Sequence, residues 1–533
     1  MKILAIIPAR KGSKGVPNKN IRLVNERPLV YYSIMNAKKS KWITDIKVST
    51  DSEEVAVIAK QLGVDVHWRD SSLAGDEITL DAVIFDAMGN ENWDYVVTMQ
   101  PTSPTLQKET LDKAINYSIE LQVDTLISVV NHPHLAWVND SEGKKRPAYT
   151  ERKNRQYLPG YYLETGAFVI SRGSIITEKT RIGKNVDVYE ISKEEAVDID
   201  NFGDLLLVEK LLSDKKIAIY VNGNNSRGMG HIYRALETAD IFYSKPDIFY
   251  DLNQTERRFF GETTHNLNGV DGFGELLGIV EKSNYDLIIN DVLTTTADYM
   301  IALKKSLPDA KLVNFEDDGE GAHFADLVIN DLYNTSDAPH IVVGEKYYIA
   351  SKLFMLYQPI QIKEKVEKVF IGFGGADPQN YSDRLLRIIS GSEYNNFRFT
   401  VVLGRGKINI DSLQKYNKYD NIEVLYDIVN MPEVMSECDI AITSRGRMGY
   451  ELAILGIPTI SVAQNKREES HKFVSNENGF SYLGLNPDDQ IIEENLKMFL
   501  ESSQTQRRHY QTLLLNHDLR NGRRHVRNLI DNL

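Results

Sequence analysis

A chain of 533 residues exceeds the size at which one hydrophobic core keeps growing, so two or three domains are expected. Hydrophobic residues make up 42% and charged residues 26%, which excludes a disordered chain, and no apolar run approaches the roughly 20 residues that span a bilayer. A net charge of −13 excludes a general nucleic-acid binder, so positive charge for any anionic ligand must be concentrated locally.

The first element is a short strand, Ile3 to Pro8, too short for a signal-peptide core. It runs into Pro8-Ala9-Arg10-Lys11-Gly12-Ser13-Lys14-Gly15-Val16-Pro17-Asn18-Lys19-Asn20, which packs four Lys or Arg side chains and two glycines into 13 residues. Glycines let backbone N–H groups approach phosphate oxygens, while Lys and Arg neutralise their charge. The G-x-x-x-x-G-K-[ST] spacing is absent, and on charge alone a solvated basic turn is an equal reading. Strands are then expected near 46–49 and 95–99, and a helix over 202–212. At Lys216 to Val221 the chain starts again, with a polar loop, Asn222 to Gly230, carrying three glycines. A third start, Lys368 to Phe373, runs into Gly374-Gly375. Strands near 286–289, 327–329, 401–403 and 440–442 alternate with helical stretches. This alternation predicts largely parallel sheets covered by helices. The domains expected are 1–213, 216–362 and 366–533. Cys438 is the single cysteine, so no intramolecular disulfide forms; its apolar setting reads as a packed thiol, and a cytoplasmic location is expected. The basic stretch Arg520 to Arg527 reads as a solvated helix face or a lobe-crossing terminal helix.

Ordered blocks behind the first loop add weight to it. Ile7-Pro8-Ala9-Arg10, Gly12-Ser13-Lys14-Gly15 and Lys19-Asn20 are followed by Ser49-Thr50-Asp51-Ser52, Gln100-Pro101-Thr102-Ser103-Pro104 and Val197-Asp198-Ile199-Asp200. With these, the first 212 or so residues resemble the CMP-sialic acid (nonulosonate) synthetase family. The resemblance implies a Rossmann-like nucleotidyltransferase domain that transfers the cytidylyl group of CTP to the anomeric hydroxyl of a nonulosonic acid, with Mg²⁺ as cofactor. By it, Arg10 and Lys19 are catalytic, and Ala9, Arg10, Gly12, Ser13, Asn20, Arg69 and Asp76 contact CTP. Gln100, Arg155, Gln156 and Glu164 become the acidic-sugar pocket, and a homodimer is suggested. Asp198 and Asp200 become the metal ligands; an i, i+2 spacing on an extended segment points both carboxylates one way, although Asp-x-Asp alone is also a common loop or capping feature. Where the family often has Asn-Gly-Ala before an aromatic, this chain has Glu164-Thr165-Gly166-Ala167-Phe168. That departure leaves open whether the sugar is pseudaminic, legionaminic or another relative. His132-Pro133-His134 reads as a turn.

The rest of the chain reads as a second nucleotide-handling unit. Gly228-Met229-Gly230-His231-Ile232-Tyr233-Arg234 places a G-x-G-H-x-x-R sequence at a strand-to-helix turn, where an anion is favoured. A lone G-x-G is weak, and a lone His is often structural. Together with Phe315-Glu316-Asp317-Asp318, Asp326 to Asn330, Gly374-Gly375-Ala376-Asp377, Thr443-Ser444-Arg445-Gly446 and Tyr450 to Pro458, it makes residues 216–500 resemble the UDP-sugar hydrolases of pseudaminic acid synthesis. That likeness implies two Rossmann-like lobes of glycosyltransferase-B type, with His231 as the base that activates water. UDP-sugar contacts are implied at Gly228, Gly230, Arg234, Gly374, Gly375, Ser444 and Glu451, with no metal. Arg445 and Arg447 depart from that pattern. The fold class expected is therefore α/β throughout. Hydrolysis of a UDP-diacetamido-trideoxyhexose, glycosyl transfer, and non-catalytic nucleotide-sugar binding remain open for the second unit. Nucleic acid and membrane are not expected partners.

Overall fold

The structure, a computed structural model, describes residues 1–12, 15–73, 75, 77–224, 229–332 and 338–533. Ser13, Asp76 and Gly228, expected at the sites, lie outside the described residues. The chain forms two compact units, Met1–Asp214 and Lys215–Leu533.

The first unit is built on a seven-stranded sheet. Its order is Val186–Glu190, Thr125–Asn131, Tyr162–Arg172, Tyr95–Thr98, Ile3–Pro8, Asp45–Thr50, Asp65–Trp68. All neighbours are parallel except Tyr162–Arg172, which is antiparallel on both sides and carries an irregularity between Glu164 and Val169. Ile3 to Ile7 are fully buried because helices cover both faces, which is why this strand reads as an unbroken apolar run. Helix starts are fixed by side-chain caps. Ser52 accepts from the Val55 N–H ahead of Glu53–Gln61, and Asn201 with Asp204 forms a capping box ahead of Phe202–Leu212.

The second unit holds two all-parallel sheets. The proximal sheet runs Asn266–Val270, Asp247–Asp251, Ile217–Val221, Leu287–Asp291, Lys311–Phe315, Leu327–Asn330, Ile341–Val343. The distal sheet runs Ile422–Tyr426, Arg398–Leu403, Lys368–Gly372, Ile440–Ser444, Thr459–Ala463, Phe480–Leu485. In both, the first strand in sequence is central and the order reverses between it and the fourth, the doubly wound arrangement. These are the two Rossmann-like lobes expected of a glycosyltransferase-B type chain. The basic terminal stretch is a lobe-crossing helix: Gly522–Asp531 buries Val526 and Ile530 in the proximal core, and Arg527 donates to the Ile241 carbonyl at 3.1 Å. Cys438 is buried beside Met435 and Ala441, and burial pushes its thiol up to about 12, so it is a packing residue. Among the described residues no helix is long and apolar enough to cross a membrane.

Candidate functional site

In the first unit the strand order reverses between Tyr95–Thr98 and Ile3–Pro8, and open α/β sheets bind ligands in the crevice beyond such a point. The basic loop leaves Ile3–Pro8 at this place. Ala9 is buried and anchors it: its N–H donates to the Ser49 carbonyl at 2.9 Å, and its own carbonyl accepts from Thr50 Oγ1 at 2.5 Å. Asn20 Nδ2 donates to the Arg10 carbonyl at 3.0 Å, and the Lys11 N–H donates to Asp51 Oδ1 at 2.5 Å. A cavity of about 30 Å³ remains, lined by Arg10, Lys11, Gly12, Asn18, Asn20 and Ser52 among others. Arg69 approaches from the next strand end. Its Nε donates to Ser49 Oγ and its Nη2 to the Ser49 carbonyl, both at 3.0 Å. Burial works against its charge, Asp51 supports it and Arg10 repels it, so the three side chains share one electrostatic environment.

The loop is tied to the Asp-x-Asp segment. Lys19 Nζ donates to the Ile199 carbonyl and lies 3.8 Å from Asp200 Oδ1. Gly15 passes so close that a Cβ there would fall 2.1 Å from the Asp200 carbonyl oxygen. The two carboxylates have different surroundings: Asp200 is exposed, whereas Asp198 Oδ1 is buried with no hydrogen-bond partner among the described residues. Asp198 turns towards Gly166. A Cβ on that glycine would lie 3.2 Å from Ser103 Oγ, 3.3 Å from Asp198 Oδ2 and 3.4 Å from Gln100 Cδ. Gly166 therefore keeps open the point where Gln100, Ser103 and Asp198 converge. Ser103 Oγ is also buried without a partner among the described residues. A buried, unpartnered carboxylate oxygen is costly unless something binds it, and a hard divalent cation fits that donor. Arg155 and Gln156 stand exposed on the turn Arg155–Tyr157, and Glu164 is exposed beside Val129. Nothing joins these three side chains to Gln100 among the described residues. Sequence reasoning missed Ser103 and Asp51 as site members, although both lie in motifs it singled out.

In the second unit a buried charge network sits at the proximal switch point. His231 opens the helix Gly230–Ala239, and Asp291 ends the strand Leu287–Asp291. Asp291 Oδ1 lies 2.5 Å from His231 Nδ1, and Arg234 clamps the carboxylate with Nε at 2.7 Å and Nη2 at 2.6 Å. Burial disfavours the Asp291 charge, but Arg234 and His231 outweigh it and hold the carboxyl below its usual range. An ionised Asp291 requires a proton on Nδ1. Arg234 Nη2 is also 3.1 Å from Nδ1, but Asp291 Oδ1 is its nearer acceptor, at 2.6 Å. Nε2 of a neutral His231 is thereby left as a proton acceptor, with no hydrogen-bond partner among the described residues.

Arg234 is 1% exposed and also pairs with Glu316 and, at 3.3 Å, with Asp331, so it organises the site from behind instead of facing a ligand. Glu316 takes a left-handed φ of 50°, which costs about 1–3 kcal/mol in a non-glycine residue and is held by these pairs. Arg447 of the distal lobe completes the network, 3.1 Å from Asp331 Oδ2 and 3.4 Å from Glu316 Oε1, with its Cδ 2.9 Å from where a Gly230 Cβ would be. Burial pushes Asp331 up to about 7, while Glu316 is held low by Arg234 against its own burial. Arg445, by contrast, is spent on the Val474 and Glu469 carbonyls, each at 2.8 Å. Gly374 and Gly375 follow the first distal strand and Ser444 ends the fourth, so they flank the distal switch point. Glu451, on helix Met448–Leu455, is pushed up to about 7 by burial. A cavity of about 420 Å³ is lined by Arg258, Phe259, Arg405, Tyr426 and Asp427 among others, and His231 is not part of its lining. Asp291 and Asp331 were not singled out in the sequence, because single acidic residues at strand ends carry no spacing signal.

The sequence model of the cytidylyltransferase family matches residues 4–158, and that of a protein family of unknown function (DUF354) matches residues 386–520. Post-translational flagellin modification protein B of Campylobacter coli is 31% identical over 230 residues, covering 40% of this chain and 97% of its own. CMP-N,N'-diacetyllegionaminic acid synthase of Legionella pneumophila is 34% identical over 233 residues, again 40% of this chain and 97% of its own. The crystal structure of MurG from Acinetobacter baumannii covers 60% of this chain and all of its own at 13% identity, with a TM-score of 0.45.

Proposed function

Because the chain belongs, through its first unit, to the cytidylyltransferase family, we propose that this unit transfers the cytidylyl group of CTP to the anomeric hydroxyl of a nonulosonic acid. The observation that carries the reading is the junction of the basic loop with the Asp198–Asp200 segment through Lys19 and Gly15. The anomeric oxygen attacks the α-phosphorus, the bond to the β-phosphate oxygen breaks, pyrophosphate leaves and the hydroxyl proton goes to solvent. Such a transfer depends on positioning and charge stabilisation. Arg10 and Lys19 neutralise the α-phosphate and the leaving group, and Arg69 and Asn20 hold the nucleotide. Asp198 and Asp200 are the residues that would hold Mg²⁺, which supplies Lewis-acid polarisation of the phosphates. Gln100 and Ser103 border the space for the sugar, with Arg155, Gln156 and Glu164 further out on exposed segments. The legionaminic-type product named for the Legionella relative makes that sugar class the first to test.

The test is pyrophosphate release from CTP, dependent on nonulosonic acid and Mg²⁺. Lys19→Ala and Asp198→Asn are each expected to lower kcat about 100-fold or more, the usual cost of removing one charge-stabilising group. Undiminished turnover in an Asp198→Ala, Asp200→Ala double variant would contradict the metal assignment.

For the second unit we infer hydrolysis of a UDP-linked amino sugar, with Asp291 orienting His231 and Nε2 taking a proton from water as it attacks the anomeric carbon. UDP is the leaving group, with Gly374, Gly375, Ser444 and Glu451 on its side. UDP release in the absence of any acceptor, lost in His231→Ala, is the expected result. Release only when an acceptor is added would make this unit a glycosyltransferase, and binding without turnover a sensing module.

A further inference from the structure

A line of hydrogen bonds outside the residues so far assigned ends on Arg69. Ser49 and His67 are direct partners in the parallel pairing of Asp45–Thr50 with Asp65–Trp68. His67 Nδ1 is 3.1 Å from Ser49 Oγ, and its Nε2 is 3.1 Å from Asp86 Oδ2 on helix Leu80–Met88. Ser49 is fully buried and receives Arg69 Nε on the same oxygen. The donors can be ordered without ambiguity. Asp86 can only accept, so Nε2 carries a proton; a neutral His67 then offers Nδ1 as an acceptor to the Ser49 hydroxyl. That leaves a Ser49 lone pair facing the Arg69 Nε–H.

We propose that His67, oriented by Asp86 and acting through Ser49, is a positioning residue for Arg69, and that the neutral imidazole is the form in which the site holds CTP. The proposal rests on the reading of Arg69 as a CTP contact. A protonated His67 would turn Nδ1 into a donor, directing a second N–H at Ser49 Oγ and displacing the serine proton. The buried Ser49 hydroxyl would lose the acceptor that orients it, and a second positive charge would face the Arg69 fork across the same oxygen. The charged groups facing His67 are Asp86 from the helix, Lys47 from the neighbouring strand and Arg69 from its own segment; Lys47 is itself 3.9 Å from Glu91. Burial, Lys47 and Arg69 favour the neutral ring and Asp86 opposes them, with the net shift downward. The switch therefore falls on the acid side of an ordinary histidine.

The test is calorimetric binding of CTP with Mg²⁺ to the full chain, without sugar, between pH 5 and 8. His67→Val, which suits a strand, is expected to weaken CTP about tenfold, the equivalent of about 1.4 kcal/mol. His67→Asn keeps an acceptor near the Nδ1 position without titrating. It is expected to bind within about threefold of the unmodified protein at pH 7.5 and to bind more tightly than it at pH 5.5, where protonation of His67 weakens only the unmodified protein. The nucleotide's own titration is common to both proteins and cancels in the comparison. In an Arg69→Ala background, His67→Val is expected to cost nothing further, because the two act in series. Asp86→Ala, at a half-exposed position, should weaken CTP about threefold and serves as the variant least able to disturb folding. Additive losses from His67→Val and Arg69→Ala, or parallel pH curves for His67→Asn and the unmodified protein, would overturn the proposal. Unchanged CTP binding in Arg69→Ala would instead overturn the nucleotide reading beneath it, and the positioning role with it.

Discussion

At the scale of single residues, both units meet the same problem: an acidic chain must present positive charge and proton acceptors at one point. The first unit does so with Arg10, Lys19 and Arg69 around a turn: Lys19 is tethered by the Ile199 carbonyl, Arg69 by Ser49, and the Arg10 backbone by Asn20, which donates to its carbonyl. The second buries the charges instead. Asp291 fixes the tautomer of His231, so under the hydrolysis proposed above Asp291→Asn should lower UDP release at least about 100-fold while leaving the KM for the UDP-sugar within about threefold. Circular dichroism on the same sample separates this from unfolding, since the substitution also removes a partner of Arg234. A proportional rise in KM with kcat intact would place Asp291 in binding. The basic loop and Asp-x-Asp were legible in the sequence because charge density and ordered motifs survive in one dimension. The role of Ser49, which stands in one of those motifs, was not, nor were Asp291 and Asp331, because their significance comes from segments brought together by strand pairing.

At the scale of elements, the three starts near residues 3, 216 and 368 were legible because a parallel strand buried on both faces reads as an uninterrupted apolar run before a glycine turn. The antiparallel strand Tyr162–Arg172 was not legible as such; its outer end is exposed and its register shifts after Glu164. Arg447 departs from the family pattern in the sequence, and the structure accounts for it: it heads the helix Met448–Leu455 and joins Asp331 and Glu316 of the other lobe. The same helix carries Tyr450, whose hydroxyl meets the buried His471 at 3.1 Å. Burial holds His471 down to about 4. An unfolded chain takes up that proton near pH 6.5, so between pH 6.5 and 4 the unfolded state binds more protons and stability falls as pH falls. The contribution is at most about 1.4 kcal/mol per pH unit. Asp331, Glu451 and Glu468, raised to about 7, work in the opposite sense, since the folded state keeps their protons. His471→Gln should therefore cost less stability at pH 4 than at pH 7, read as the difference in Tm from the unmodified protein. A constant difference would mean that His471 does not titrate with unfolding.

At the scale of the molecule, two compact units divide at Asp214–Lys215, and the Campylobacter coli and Legionella pneumophila relatives matched by the first are covered over 97% of their own length. The cytidylyltransferase activity is thus expected to reside wholly in Met1–Asp214. The most direct measurement is mass spectrometry of the product formed from CTP, Mg²⁺ and a nonulosonic acid by this unit alone and by the full chain. A CMP-nonulosonate is expected from both at kcat values within about threefold, with one pyrophosphate per product. Free CMP or no product from either, with a range of nonulosonic acids supplied, would contradict it.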